Sequence, residues 1–154
     1  MIKAMNIYLE QFDQLIDPSL PLISNLANAA SWIYFTFPSL NWAGFYFYDS
    51  KQKLCFLGPF QGKVACTTIK EGKGVVGTCA KNQETLYIKN VHTFDGHIAC
   101  DQASKSELVL PIFRKEELWA VLDIDSDQLD GLSKESIALL EKIAAKLSKL
   151  VSSA

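Results

Sequence analysis

Two apolar runs, residues 107–113 and 117–125, are separated only by the polar triplet Arg114-Lys115-Glu116. A connection that short returns the second strand beside the first, so an antiparallel hairpin anchors the second half of the chain. Period-two alternation along the second run puts Trp119, Val121, Asp123 and Asp125 on one face. It puts Leu118, Ala120, Leu122 and Ile124 on the other. Hairpin pairing brings Glu107, at the start of the first run, close to Asp123 and Asp125. The two aspartates read equally well as a strand end emerging into solvent or as buried groups awaiting a cationic or hydrogen-bonding ligand. In the buried case, three carboxylates converge and mutual repulsion raises at least one pKa, which makes a proton donor.

The rest of the chain supplies partners for this hairpin. Residues 42–48 form an aromatic-rich strand that closes at Asp49-Ser50-Lys51 and pairs with a second at 54–57. Further strands are expected at 64–69 and 85–88. Helical spacing appears at 5–16 and 22–35, where Pro18, Pro21 and Pro38 punctuate it. It returns at 133–151, where Ile137, Leu140, Ile143, Ala144, Leu147 and Val151 form one stripe. The expected fold is α+β: a six-stranded, mainly antiparallel sheet with helices from both chain termini packed on it. With 154 residues, one domain spanning 1–154 is expected, with helices in 1–38, the sheet in 41–125 and a last helix at 133–151. An apolar edge left on the terminal helices would suit a homodimer.

Composition narrows the function. Hydrophobic residues at 49% and charged ones at 21% suit a packed globule and not a disordered chain. A net charge of -2 with no basic block argues against nucleic acid. The longest mostly apolar stretch, 26–38, is interrupted by Asn28, Ser31 and Thr36, too short and too polar to span a membrane. With no apolar leader at the N-terminus, a cytoplasmic protein is expected. The four cysteines, at 55, 66, 79 and 100, contain no CxxC pair. A zinc site from Cys66, Cys79, His97 and Cys100 is conceivable but lacks the close ligand pair such sites normally show. Gly72-Lys73-Gly74-Val75-Val76-Gly77 matches a dinucleotide-binding pattern. No series of parallel βαβ units follows it, so a tight strand-to-helix turn with positive φ is the better reading.

Chemistry concentrates in residues 95–111, where His97, Cys100, Asp101 and Glu107 fall within eleven positions. Cys100 is the candidate nucleophile; a charged His97 would favour its thiolate, while Asp101 and Glu107 oppose it. A Cys-His hydrolase is possible, but carboxylates stabilise an oxyanion poorly unless protonated. Protonated carboxyls suit a reaction whose oxygen must depart as water, such as reduction of a sulfoxide or peroxide by a thiolate.

Five segments carry a family resemblance: Asn41-Trp42-Ala43-Gly44-Phe45-Tyr46, Gly62-Lys63-Val64-Ala65-Cys66, the glycine turn at 72–78, residues 91–107, and Leu122-Asp123-Ile124-Asp125-Ser126. Together they resemble the free methionine-(R)-sulfoxide reductases, which are GAF-domain enzymes. The run His97-Ile98-Ala99-Cys100-Asp101, continuing through Ser104 and Ser106 to Glu107, is the most specific part. The resemblance implies reduction of free L-methionine (R)-sulfoxide, recycling by thioredoxin or another thiol, and no bound cofactor or metal. It implies that Cys100 becomes a sulfenic acid and that Glu107, Asp123 and Asp125 hold the substrate and supply acid. Trp42 and Tyr46 would wall the pocket. The family commonly carries a cysteine where this chain has Val76. Resolution of the sulfenic acid then falls to Cys66, which keeps its family position, to Cys79, or to an external thiol. The alternative function is a non-catalytic GAF module that senses an amino-acid-like metabolite.

Overall fold

The computed structural model describes residues 2–97 and 103–154; Cys100 and Asp101 lie outside the described residues. Helices α1 (Ile2–Leu15) and α2 (Leu22–Thr36) open the chain. Asn25, buried in α2, closes the turn between them: its Nδ2 donates to the Asp17 carbonyl (2.8 Å) and its Oδ1 accepts from the Asp17 N–H (3.0 Å). Strands β1 (Leu40–Asp49), β2 (Leu54–Gly62) and β3 (Thr68–Lys70) follow, then α3 (Gly74–Asn82), β4 (Leu86–Ile88), β5 (Ser106–Arg114), β6 (Glu117–Ser126) and α4 (Lys134–Ser153). The six strands form one sheet in the order β3-β2-β1-β6-β5-β4, and every pairing is antiparallel. The α+β expectation holds.

One face of the sheet is covered by α1, α2 and α4. Alternate residues of the central strands (Leu108, Leu110 and Ile112 of β5; Ala120, Leu122 and Ile124 of β6) pack there against Phe12, Ile33, Leu140 and Ile143. α4 starts with its Ser133 Oγ accepting from the Ser136 N–H, a side-chain cap that fixes where the amphipathic stripe begins. α3 lies on the other face and buries Val75, Val76 and Cys79 against Val109 and Val121.

Three local expectations need correction. Strict alternation in the last strand fails near its start: Phe113 pairs with Leu118 but Ile112 pairs with Ala120, so Trp119 is an extra residue in a bulge. Parity flips there. Trp119 packs with Phe47 on the helix-covered face and Leu118 joins Val121 on the other, while Val121, Asp123 and Asp125 keep their expected common side. Strand β2 runs on to Gly62, beyond the expected 54–57, because a register shift between Gly44 and Tyr46 takes up Gly58 and Pro59 without breaking the pairing. The strand expected at 64–69 is confined to Thr68–Lys70. Gly62 turns the chain with φ +136°, and side chains of β1 capture the carbonyls of Lys63 and Cys66, so residues 63–67 form a strap and not a ladder.

The glycine turn is as expected: Gly72 and Gly74 have φ of +83° and +60°, and Gly77 lies where a Cβ would sit 2.3 Å from the Lys70 carbonyl. It leads into α3 from an antiparallel sheet.

Candidate active site

β5 and β6 pair so that Glu107 sits opposite Asp125, and Val109 opposite Asp123. Their alternation then delivers all three carboxylates to the α3 side, where carboxylate oxygens of the three lie within 4.8 Å of one another. Glu107 and Asp123 are buried and Asp125 is partly so. Burial, the charges of Asp123 and Asp125, and hydrogen bonds to both push the Glu107 carboxyl well above the usual carboxylate range. Burial also raises Asp123, against the opposing effect of hydrogen bonds from Glu107 and Asp125. The cluster therefore favours retaining a proton on Glu107, the group shifted furthest, with Asp123 and Asp125 within reach of it. Asp123 Oδ1 is buried without a hydrogen-bond partner among the described residues, so the site has unused acceptor capacity.

The carboxylates line one cavity together with aromatic side chains of β1. Trp42 and Tyr46, four apart on β1, stack at 5.9 Å and form a wall; Trp42 also stacks on Phe60 at 5.2 Å. Their polar tips hold the strap over the cavity. Trp42 Nε1 donates to the Lys63 carbonyl (3.0 Å), and the Tyr46 hydroxyl donates to the Cys66 carbonyl (2.9 Å). Burial first, then the charges of Asp123, Asp125 and Glu107, raise the Tyr46 phenol, so it stays a donor throughout the working pH range. Val64 and Ala65 of the strap, Val75 and Val76 of α3, and Lys73 complete the lining.

His97 lines the same cavity. Burial, then the charge of His92, depresses its imidazole below the usual range. At neutral pH it is an uncharged hydrogen-bonding group, which removes the fixed cation that the sequence reading offered Cys100. Cys55 and Cys79 are free and buried, and burial is the main cause that pushes both thiols up to about 12. Cys66 is disulfide-bonded. Cys66, Cys79 and His97 form no ligand cluster among the described residues; the three carboxylates are the one group with that reach. No helix among the described residues is long and apolar enough to cross a membrane.

Thus the structure brings Glu107, Asp123, Asp125, Trp42 and Tyr46 around one cavity and sets Cys79 apart in the apolar packing under α3. Sequence reasoning passed over Ser104, which is buried and lines the cavity; its only signal was a place in the Ser-x-Ser-Glu run ahead of β5.

An antiparallel sheet with this strand order, a cavity between its α3 face and a strap, and a matching GAF domain model over residues 12–151 define a GAF-domain protein. The chain is 41% identical over 140 residues to the free methionine-R-sulfoxide reductase of Escherichia coli, covering 91% of this chain and 84% of that protein. It is 42% identical over 144 residues to the Saccharomyces cerevisiae protein of the same name, covering 90% and 80%. Among solved structures, the reduced form of fRMsr of Staphylococcus aureus superposes with a TM-score of 0.89 at 37% identity, covering 96% of this chain and 94% of that one. The free methionine-R-sulfoxide reductase of Neisseria meningitidis in complex with its substrate gives 0.86 at 32% identity, covering 96% and 90%. The chain belongs to the free methionine-R-sulfoxide reductase family.

Proposed function

We propose that this protein reduces free L-methionine (R)-sulfoxide to L-methionine, with Cys100 as the nucleophile and Glu107 as the acid. The observation that carries the reading is the buried Glu107 clustered with Asp123 and Asp125 in an aromatic-walled cavity, its carboxyl pushed well above the usual range by burial and by those neighbours. A sulfoxide oxygen is a weak leaving group that needs a proton, and a carboxyl held above its ordinary range is the group suited to supply it. The remaining negative charge of the cluster suits the substrate ammonium, and Trp42 and Tyr46 suit the thioether methyl.

The cycle closes as follows. The Cys100 thiolate attacks the sulfoxide sulfur as Glu107 protonates its oxygen; the oxygen passes to Cys100, giving a sulfenic acid and free methionine. A second thiol, attacking as its thiolate, forms a disulfide with the sulfenic sulfur, and the sulfenic hydroxyl takes up the proton that thiol gave off and leaves as water. A dithiol such as thioredoxin takes the disulfide's place by exchange and restores both thiols. We assign the second thiol to Cys66. Cys79 is free, 1% exposed and pushed up to about 12, so almost none of it is thiolate at neutral pH, whereas Cys66 is the one described cysteine engaged in a disulfide. A reducing cytoplasm suits this thiol-dependent cycle.

The test is NADPH oxidation coupled through thioredoxin and its reductase, with each sulfoxide epimer supplied separately. Turnover of the R epimer alone, lost in Cys100→Ser, is expected. Equal activity in that variant sinks the mechanism, and tight sulfoxide binding with no methionine released points to a sensor. Peptide mapping after one turnover is expected to show Cys66 linked to Cys100; a Cys79 link overturns the assignment.

A further inference from the structure

We infer that Ser104 is a substrate-binding residue that donates a hydrogen bond to the sulfoxide oxygen, an inference that rests on the proposed reaction. Ser104 is 4% exposed and lines the cavity alongside Glu107, Asp123 and Asp125. Its Oγ accepts from Asn41 Nδ2 at 3.1 Å. That bond uses an oxygen lone pair and leaves the Ser104 O–H itself with no acceptor among the described residues. A buried hydroxyl proton without an acceptor is costly, and inside a cavity it points to an acceptor brought by the ligand.

The position selects which acceptor. Asn41 precedes Trp42, and Trp42 pairs with Asp125; the Lys105 N–H donates to the Ser126 carbonyl at 2.8 Å. Ser104 therefore stands at the acidic end of the cavity, where a substrate carboxylate is repelled and a neutral sulfoxide oxygen is not. As the thiolate adds to sulfur, that oxygen gains negative charge. A donor already fixed by Asn41 then binds it more tightly than in the ground state, while Glu107 delivers the proton. Product methionine lacks this oxygen and has nothing for Ser104 to hold.

That difference is the test. In Ser104→Ala, kcat for the R epimer is expected to fall about ten- to a hundredfold. On a Cys100→Ser background, calorimetry is expected to show sulfoxide affinity weakened about three- to tenfold, with L-methionine affinity within about twofold of the parent. Equal weakening of both ligands, or an unchanged kcat, overturns the assignment. Ser104→Gly deletes the same hydroxyl with less volume and carries the measurement if the alanine variant does not fold. A parent protein that binds both ligands but never turns over removes the proposed reaction, while the ligand pair still reads the role of Ser104.

Discussion

The two faces of the sheet are made by the same strands and have opposite characters. Towards α1, α2 and α4, β5 and β6 present Leu108, Leu110, Leu122 and Ile124, all fully buried with no polar group among them. Towards α3 they present Glu107, Val109, Val121, Asp123 and Asp125, with two buried carboxyls and a cavity. Period-two geometry forces the split: a residue that serves the dry face cannot serve the site, and its neighbour must. The difference teaches that stability and reactivity are interleaved along each strand yet separated in space. They should therefore respond to different substitutions.

The strongest way to break that separation is at Glu107. Glu107→Gln keeps the volume and hydrogen-bonding shape but has no carboxyl proton to transfer. We expect turnover of the R epimer to fall about a hundred- to ten-thousandfold in the coupled assay, with the fold intact by circular dichroism. A fall of less than tenfold would remove Glu107 as the acid.

On the dry face, Leu140→Ala leaves a cavity among Phe12, Ile33 and Ile143. The expected cost is about 3 kcal/mol of unfolding free energy by denaturant titration, with activity per folded molecule unchanged. Loss of specific activity without loss of stability would show that the two faces communicate.

The pH dependence tests the same comparison in the other direction. Glu107 and Asp123 are both raised in the fold, chiefly by burial, so the folded protein retains protons that the unfolded chain releases. Stability is then fully present below the ordinary carboxylate range, near pH ~4, and is lost as pH rises from there towards the folded values. Glu107→Gln removes one such group. Its melting temperature should exceed the parent's at pH 8 and approach it at pH 4, so the substitution that costs most activity also stabilises the protein. A parallel pH profile in the two proteins would refute this.

How much of this could be read from the chain follows from what each feature depends on. The hairpin, the terminal helices and the meeting of Glu107 with Asp123 and Asp125 depend on local periodicity and one short turn, which sequence records directly. The bulge at Trp119 does not, because it exists to let that ring meet Phe47 on β1, seventy-two positions earlier. Nor does the strap: residues 63–67 have an acceptable strand pattern, and only the Trp42 and Tyr46 donors from β1 pull their carbonyls out of a ladder. Ser104 was hidden for a similar reason. A serine before a strand is unremarkable until Asn41 is found occupying its lone pair.

The smallest effect expected is at Cys79, which lies on the reactive side of the sheet but behaves like the dry one. It packs with Val75, Val76 and Val121, is 1% exposed, and its thiol is pushed up to about 12 by burial, with Asp123 and Cys55 adding to the shift. Thiolate, not thiol, attacks a sulfenic acid, and the residue is enclosed by apolar side chains. Cys79→Ala should therefore cost about 1 kcal/mol of stability from the lost packing of one sulfur, while turnover stays within about twofold of the parent. The decisive reading is burst kinetics without external thiol. If methionine release and disulfide yield per subunit both match the parent, Cys79 belongs to the core although it faces the site. If the disulfide yield falls, the boundary between the two regions runs through α3 and not along the sheet.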